Sequence, residues 1–125
     1  DVHPAILLSL IAQGVTTVIS PISLGLEGQV YNVNADEAAG SLAAALNARV
    51  LNFISNVPAV LDQDQRPISS LTPGQTELLI QSGVIHGGML PKVKAALAVI
   101  DQGVPSARIV NLSGLQNGSG TLFSQ

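Results

Sequence analysis

The residues of this chain with chemistry to offer fall in three short stretches: "YNVNADEAAG" (31–40), "SNVPAVLD" (55–62) and "VIHGGMLPKVK" (84–94). In the first, a helix starting beyond Asn34 would receive an anion at its N-terminus. Asn32 and Asn34 would donate amide hydrogen bonds to it, and Asp36 would position a nearby cation. The same residues also make an ordinary capped helix start, with Asn34 as N-cap and Asp36 and Glu37 favoured by the helix dipole. That bland meaning is the commoner one, and the local sequence leaves both open.

In "VIHGGMLPKVK" two glycines let backbone amides approach a ligand closely. Lys92 stands at a helix start, against the dipole's preference for acids there; the alternative is a solvated lysine after a turn. His86 could act as a base or a ligand, although a lone loop histidine usually does neither. "SNVPAVLD" follows an apolar strand and so lies beyond a strand's carboxyl end, where open α/β sheets bind ligands. The alternative is a plain connection, and Asp62 and Asp64 read as turn formers.

Other chemistries lose their footing. The two histidines, His3 and His86, lie far apart and there is no cysteine, so a catalytic triad, a histidine or thiolate metal site and a disulfide have no basis. Absence of cysteine fits a reducing compartment. Net charge is −3, and the five basic residues form no cluster, which gives nucleic-acid binding little support. No apolar run reaches the roughly 18 residues of a membrane span. The longest, "AILLSLIA", follows His3 and Pro4 rather than basic residues, unlike a signal peptide. With 46% apolar and 10% charged residues in 125 positions, the chain is expected to fold as one domain. Its core must be aliphatic, since Tyr31, Phe53 and Phe123 are the only aromatics.

These stretches need elements to hold them. Pro4 and the spacing of Ile6, Leu7, Leu10 and Ile11 predict a helix stopped by Gly14. "VTTVIS" (15–20) reads as a β-branched strand ending at Pro21, and "SLGLEGQVYNV" (23–33) as a hairpin. Asn34 and Glu37 have capping-box spacing ahead of a helix over 38–46. "VLNFIS" (50–55) has the pattern of a strand buried on both faces. "NVPAVLDQDQRPISSL" is a polar turn with apolar flanks. Thr72, Pro73 and Gln75 start a helix reaching about Gln81. A further helix begins near Pro91 and closes at Gly103, then "ARIVNL" and "GTLF" are strands. Helices alternating with buried strands predict an α/β layered sheet with helices on both faces.

In order and spacing, "SPISLGLEGQVYNVNADEAAGSLAAAL", "SNVPAVLD", "LIQSGVIHGGMLPKVKAAL" and "GSGTLF" resemble the carboxyl half of the N-acetylglutamate kinases, a family within the amino-acid kinase superfamily. The resemblance covers nearly the whole chain. It implies a carbamate kinase-like αβα sandwich with a mainly parallel sheet, of which residues 1–125 are the carboxyl-terminal nucleotide-binding lobe. It also implies phosphorylation of the side-chain carboxylate of N-acetyl-L-glutamate by ATP, with Mg held mainly by the nucleotide phosphates. By position, Asn32 matches the asparagine on the substrate α-carboxylate, with Asn34 beside it in the motif. Asp36 matches the aspartate that organises the catalytic lysines, and Lys92 the lysine that stabilises the phosphoryl group in flight. Asn56, Val57, Pro58, Ala59, Val60 and Leu61 align with the first nucleotide loop. Val84, Ile85 and His86 align with the second, followed by Gly88 and Met89.

A carboxylate acceptor is already ionised at neutral pH, so no general base is needed. The task left is to align two anions and neutralise charge, which suits lysines and backbone amides. There are departures. The family's amino-terminal lobe, with its glycine-rich phosphate loops, its other lysine and most of the acetylglutamate pocket, has no counterpart here. The family usually has aspartate where Asn56 stands and glycine at Ala59. "NLSGLQNGSGTLF" looks too short for the helix commonly found between the last strands. The expected parent is a cytoplasmic homo-oligomer in arginine biosynthesis, with neither nucleic acid nor membrane as partner. Two other readings stand: a kinase for carrier-bound aminoadipate or glutamate, whose asparagine motif usually differs from "NVNAD", and a non-catalytic ligand-sensing domain of the same fold, which has less need of Asp36 and Lys92.

Overall fold

The computed structural model describes residues 2–125. Its elements are α1 (Ala5–Ala12), β1 (Ile22–Leu24), β2 (Val30–Asn32), α2 (Ala35–Ala45), β3 (Leu51–Ile54), β4 (Ser70–Leu71), α3 (Pro73–Gln81), α4 (Met89–Asp101), β5 (Ser106–Val110), α5 (Leu112–Asn117) and β6 (Thr121–Ser124). A four-stranded sheet has the order β3-β5-β6-β4. The β3–β5 and β4–β6 pairs are parallel and β5–β6 is antiparallel. The result is mixed α/β with a mainly parallel sheet. β1 and β2 form a separate antiparallel hairpin, Leu24 opposite Val30.

Register sorts the side chains of the sheet. Phe53 pairs with Ile109, Ala107 with Phe123, and Ile109 with Thr121, so these residues share one face. α4 packs against β3, β5 and β6, α2 against β3 and α4, and α3 against α4. The core beneath them joins Phe53, Ile109 and Phe123 to Val60, Val93 and Val99. The α2–α4 crossing is close: a Cβ on Gly40 would lie 3.1 Å from Cγ2 of Val99.

The other face carries Asn52, Ile54, Arg108, Val110 and Leu122. Val110 is buried there, with Gly114 of α5 set against it. Ile54 stays exposed, and Oδ1 of Asn52 is buried without a hydrogen-bond partner. The expectation that β3 is buried on both faces therefore fails at Ile54, while Asn52 on the same face is half-buried.

The capped elements follow the sequence. Thr72 and Gln75 make both halves of a capping box, and Pro73 opens α3. Two further expectations do not hold. "VTTVIS" forms no strand, and Val18 is 97% exposed; β-branched propensity needs a ladder partner to become a strand. α4 does begin near Pro91, at Met89, since the missing N–H of a proline in the first turn has no helical partner to lose. The helix thought absent before β6 is present as α5. Oδ1 of Asn111 accepts the Gly114 N–H at 2.7 Å, and Gly118 ends the helix at φ +78°. Six residues suffice because both ends are capped.

No side chain of α1 is buried. Ile6, Val18, Leu24 and Leu26 are exposed along the same N-terminal stretch. A groove of about 760 Å³ lies between residues 19–24 and the flank of α2, lined in part by Val33, Glu37, Ser41 and Leu42. Among the described residues no helix is long and apolar enough to cross a membrane.

Candidate functional site

Asn34 has the geometry of an N-cap. Its Oδ1 accepts the backbone N–H of Asp36 at 2.9 Å and of Glu37 at 3.2 Å. The return bond from Glu37 that would complete a capping box is not present among the described residues, so the cap is one-sided. Asn32 ends β2 opposite Ile22 and is exposed. Its amide takes no part in a hydrogen bond among the described residues and is available to a ligand. The two asparagines, two positions apart, are thus placed for different tasks.

Asp36 lies in the first turn of α2 and is half-buried, and Lys92 lies in the first turns of α4 and is likewise half-buried. Gly40 of α2 meets Val99 of α4 and Gln102, the C-cap that follows it. Further along, Ala44, Asn47 and Ala48 share a cleft with Gln102 and Gly103. The helices therefore run in the same direction, and their N-termini emerge at one end of the fold. Asp36 and Lys92 come to that end without an ion pair; Asp64–Arg66, at 3.5 Å on the exposed turn, is the sole salt bridge among the described residues.

Ahead of α4, Gly87 adopts φ +55° and Gly88 caps the helix without a side-chain bond. A Cβ on either glycine would meet nothing within 4 Å, so this start faces open space. The first-turn N–H groups of α4 are already used, Met89 on the His86 carbonyl and Leu90 on the Gly87 carbonyl at 3.2 Å, and Pro91 has none. What this start offers a phosphate is therefore Lys92 and the Gly87 and Gly88 amides, which have no partner among the described residues. His86 is exposed, and its carbonyl accepts the Met89 N–H at 3.3 Å. Ile85, in contrast, is buried in the core and Val84 half-buried.

The first loop divides in the same manner. β3 ends where the Ser55 N–H donates to the Val110 carbonyl at 2.8 Å. Asn56 and Pro58 are exposed, Val57, Leu61 and Met89 half-buried, and Ala59 and Val60 buried. Of the residues expected to face a nucleotide, Ala59, Val60 and Ile85 thus turn their side chains inward, and the Val60 backbone is bonded at both its N–H and its carbonyl. Asn56, Pro58, His86 and Gly88 remain open. One support escaped the sequence reading: Thr121, fully buried, bonds to the first loop at Val60. "GTLF" signals a strand, but nothing in four residues announces a partner sixty positions away.

Among the described residues no group of three or more acidic or histidine side chains could hold a metal ion. A magnesium ion carried by nucleotide phosphates needs no such group.

The sequence model of the amino acid kinase family matches residues 1–111. The chain is 52% identical over 124 residues to an acetylglutamate kinase of Chloroflexus aurantiacus, covering 98% of this chain and 48% of that protein. It is 48% identical to an acetylglutamate kinase of Roseiflexus sp. strain RS-1, covering 99% and 47%. The chain thus spans about half the length of the curated relatives it matches. Among solved structures, N-acetylglutamate synthase from Neisseria gonorrhoeae, complexed with coenzyme A and L-arginine, superposes with a TM-score of 0.88 at 21% identity, covering 99% of this chain and 31% of that one. Carbamate kinase from Giardia lamblia bound to AMP-PNP gives 0.76 at 22%, covering 98% and 44%. At such identities these two likenesses speak to the fold alone.

Proposed function

The chain belongs to the amino acid kinase family, and from that premise we propose that it is the nucleotide-handling half of an acetylglutamate kinase, transferring the γ-phosphoryl group of ATP to the side-chain carboxylate of N-acetyl-L-glutamate. The observation that carries this reading is the 52% identity, over 98% of the chain, to a protein of that name about twice as long. The site is compatible with it. The acceptor oxygen is already an anion, so the protein's task is to hold two anions in line and offset the charge on the transferring group. Lys92, beside the open start of α4, stabilises that charge. Asp36, at the same end of the fold, keeps the ammonium oriented, and the free amide of Asn32 holds the substrate α-carboxylate. The exposed residues of the two loops, Asn56, Pro58, His86 and Gly88, border the nucleotide, while magnesium stays on its phosphates.

The missing amino-terminal lobe completes the site. The exposed apolar residues between Ile6 and Tyr31 are the surface on which it docks, since a patch of this extent on a soluble protein marks an interaction surface. The completed enzyme belongs to arginine biosynthesis in the cytoplasm, as a homo-oligomer. The 125-residue chain alone does not turn over, because the lobe that supplies the phosphate loops is absent.

The test is complementation. The chain is mixed with a separately produced amino-terminal half of the Chloroflexus aurantiacus enzyme, and acyl phosphate is trapped with hydroxylamine. Hydroxamate is expected from the pair and from neither half alone. A stable complex that forms none with ATP and acetylglutamate would overturn the assignment.

A further inference from the structure

We propose that Thr121 is a positioning residue of the nucleotide site: one buried hydroxyl on β6 clamps both limbs of the 56–69 loop and so fixes the arc Asn56–Ala59 before any ligand arrives. This rests on the reading of that loop as a nucleotide loop.

Thr121 is 0% exposed. Its Oγ1 accepts the Val60 N–H at 2.8 Å and donates to the Ile68 carbonyl at 2.6 Å. Val60 and Ile68 are themselves joined, the Ile68 N–H donating to the Val60 carbonyl at 2.9 Å. The outgoing and returning limbs are therefore tied to each other and, through a single side chain, to the sheet. On the near side the arc is tied by Ser55 to the Val110 carbonyl. Two anchors on neighbouring strands of the sheet, β5 and β6, thus bracket a short arc whose exposed members are Asn56 and Pro58. Gly120 makes the clamp possible: at φ +109° its missing Cβ would lie 2.8 Å from the Ile109 carbonyl oxygen, so only glycine lets β6 approach β5 closely enough here.

Removing the hydroxyl leaves the Val60 N–H buried without its acceptor, a penalty the loop escapes by moving off the sheet. A loop that must be ordered on binding gives weaker affinity than one already fixed. Thr121 touches no ligand on this account and acts only through Val60 and Ile68.

The experiment follows backbone amide shifts of the isotope-labelled chain during titration with MgADP, in wild type, Thr121→Val, Thr121→Ser and Ile100→Val. Saturable shifts at 56–61 are expected in wild type. Thr121→Val should raise Kd roughly tenfold, the worth of one lost buried hydrogen bond. Thr121→Ser should bind as wild type. Ile100→Val, which trims the core on α4 away from the clamp, should lower stability and leave Kd unchanged. No saturable shift in wild type defeats the nucleotide-loop reading and the inference with it. Wild-type binding with an unchanged Kd in folded Thr121→Val, or lost affinity in folded Thr121→Ser, defeats the clamp alone. Should Thr121→Val not hold its fold, amide exchange in wild type decides. The clamp requires Val60 to exchange as slowly as the amides of β5, and exchange as fast as that of Asn56 contradicts it.

Discussion

The asparagine pair shows how little sequence distance separates a structural role from a ligand-facing one. Asn34 spends its carbonyl oxygen on two backbone N–H groups of α2, while the side-chain amide of Asn32, at the end of β2, has no partner among the described residues. In the completed enzyme, Asn34→Ala should lower stability by about 1 kcal/mol, the usual worth of an N-cap, with KM for acetylglutamate little changed. Asn32→Ala should do the reverse, raising that KM while Tm stays put. Thermal melts and initial rates on both variants decide, and inverted results would exchange the two assignments. Lys92→Ala should lower kcat roughly 10²-fold or more, as expected for loss of a charge-stabilising donor. Turnover near the wild-type level in that variant removes Lys92 from the mechanism.

At the scale of elements, what was legible in sequence was what is settled locally. Thr72-Pro73-Gly74-Gln75 carries a whole helix start in four residues, and α3 begins there. The glycines that close α4 and the hairpin were similarly plain. Cooperative, long-range features were not. "VTTVIS" has the residues of a strand but no ladder, and "NLSGLQNGSGTLF" looks too short for a helix between the last strands, yet Asn111 and Gly118 cap both ends of one. Side-chain direction was also hidden: "SNVPAVLD" reads as a loop, yet Ala59 and Val60 belong to the core. The approach of β6 to β5 yields its own test. Gly120→Ala would place a methyl 2.8 Å from a backbone oxygen at a positive φ, so a loss of about 2 kcal/mol or more is expected. Urea unfolding with a lowered midpoint and an unchanged m-value would bear this out; an unchanged midpoint would contradict it.

For the whole molecule, the uneven distribution of apolar surface is the main fact. The sheet and α2, α3 and α4 enclose an aliphatic core, whereas α1, residues 15–20 and the hairpin hold most of their large apolar side chains in the open. The chain alone should therefore bind a hydrophobic dye and self-associate with rising concentration, and the amino-terminal half should suppress both. Sedimentation at several concentrations, with and without that half, measures this; a monodisperse, dye-silent chain would argue that the surface needs no cover. The central claim concerns the acceptor, and phosphorus NMR on the reconstituted pair tests it most directly. N-acetyl-L-glutamate, free L-glutamate and carbamate are offered in competition for MgATP. The account predicts acyl phosphate on acetylglutamate, with kcat/KM exceeding either rival by about 10²-fold or more, the discrimination within reach of a site built to pair with the acetylamide. Equal use of the three acceptors, or preference for carbamate, would contradict it.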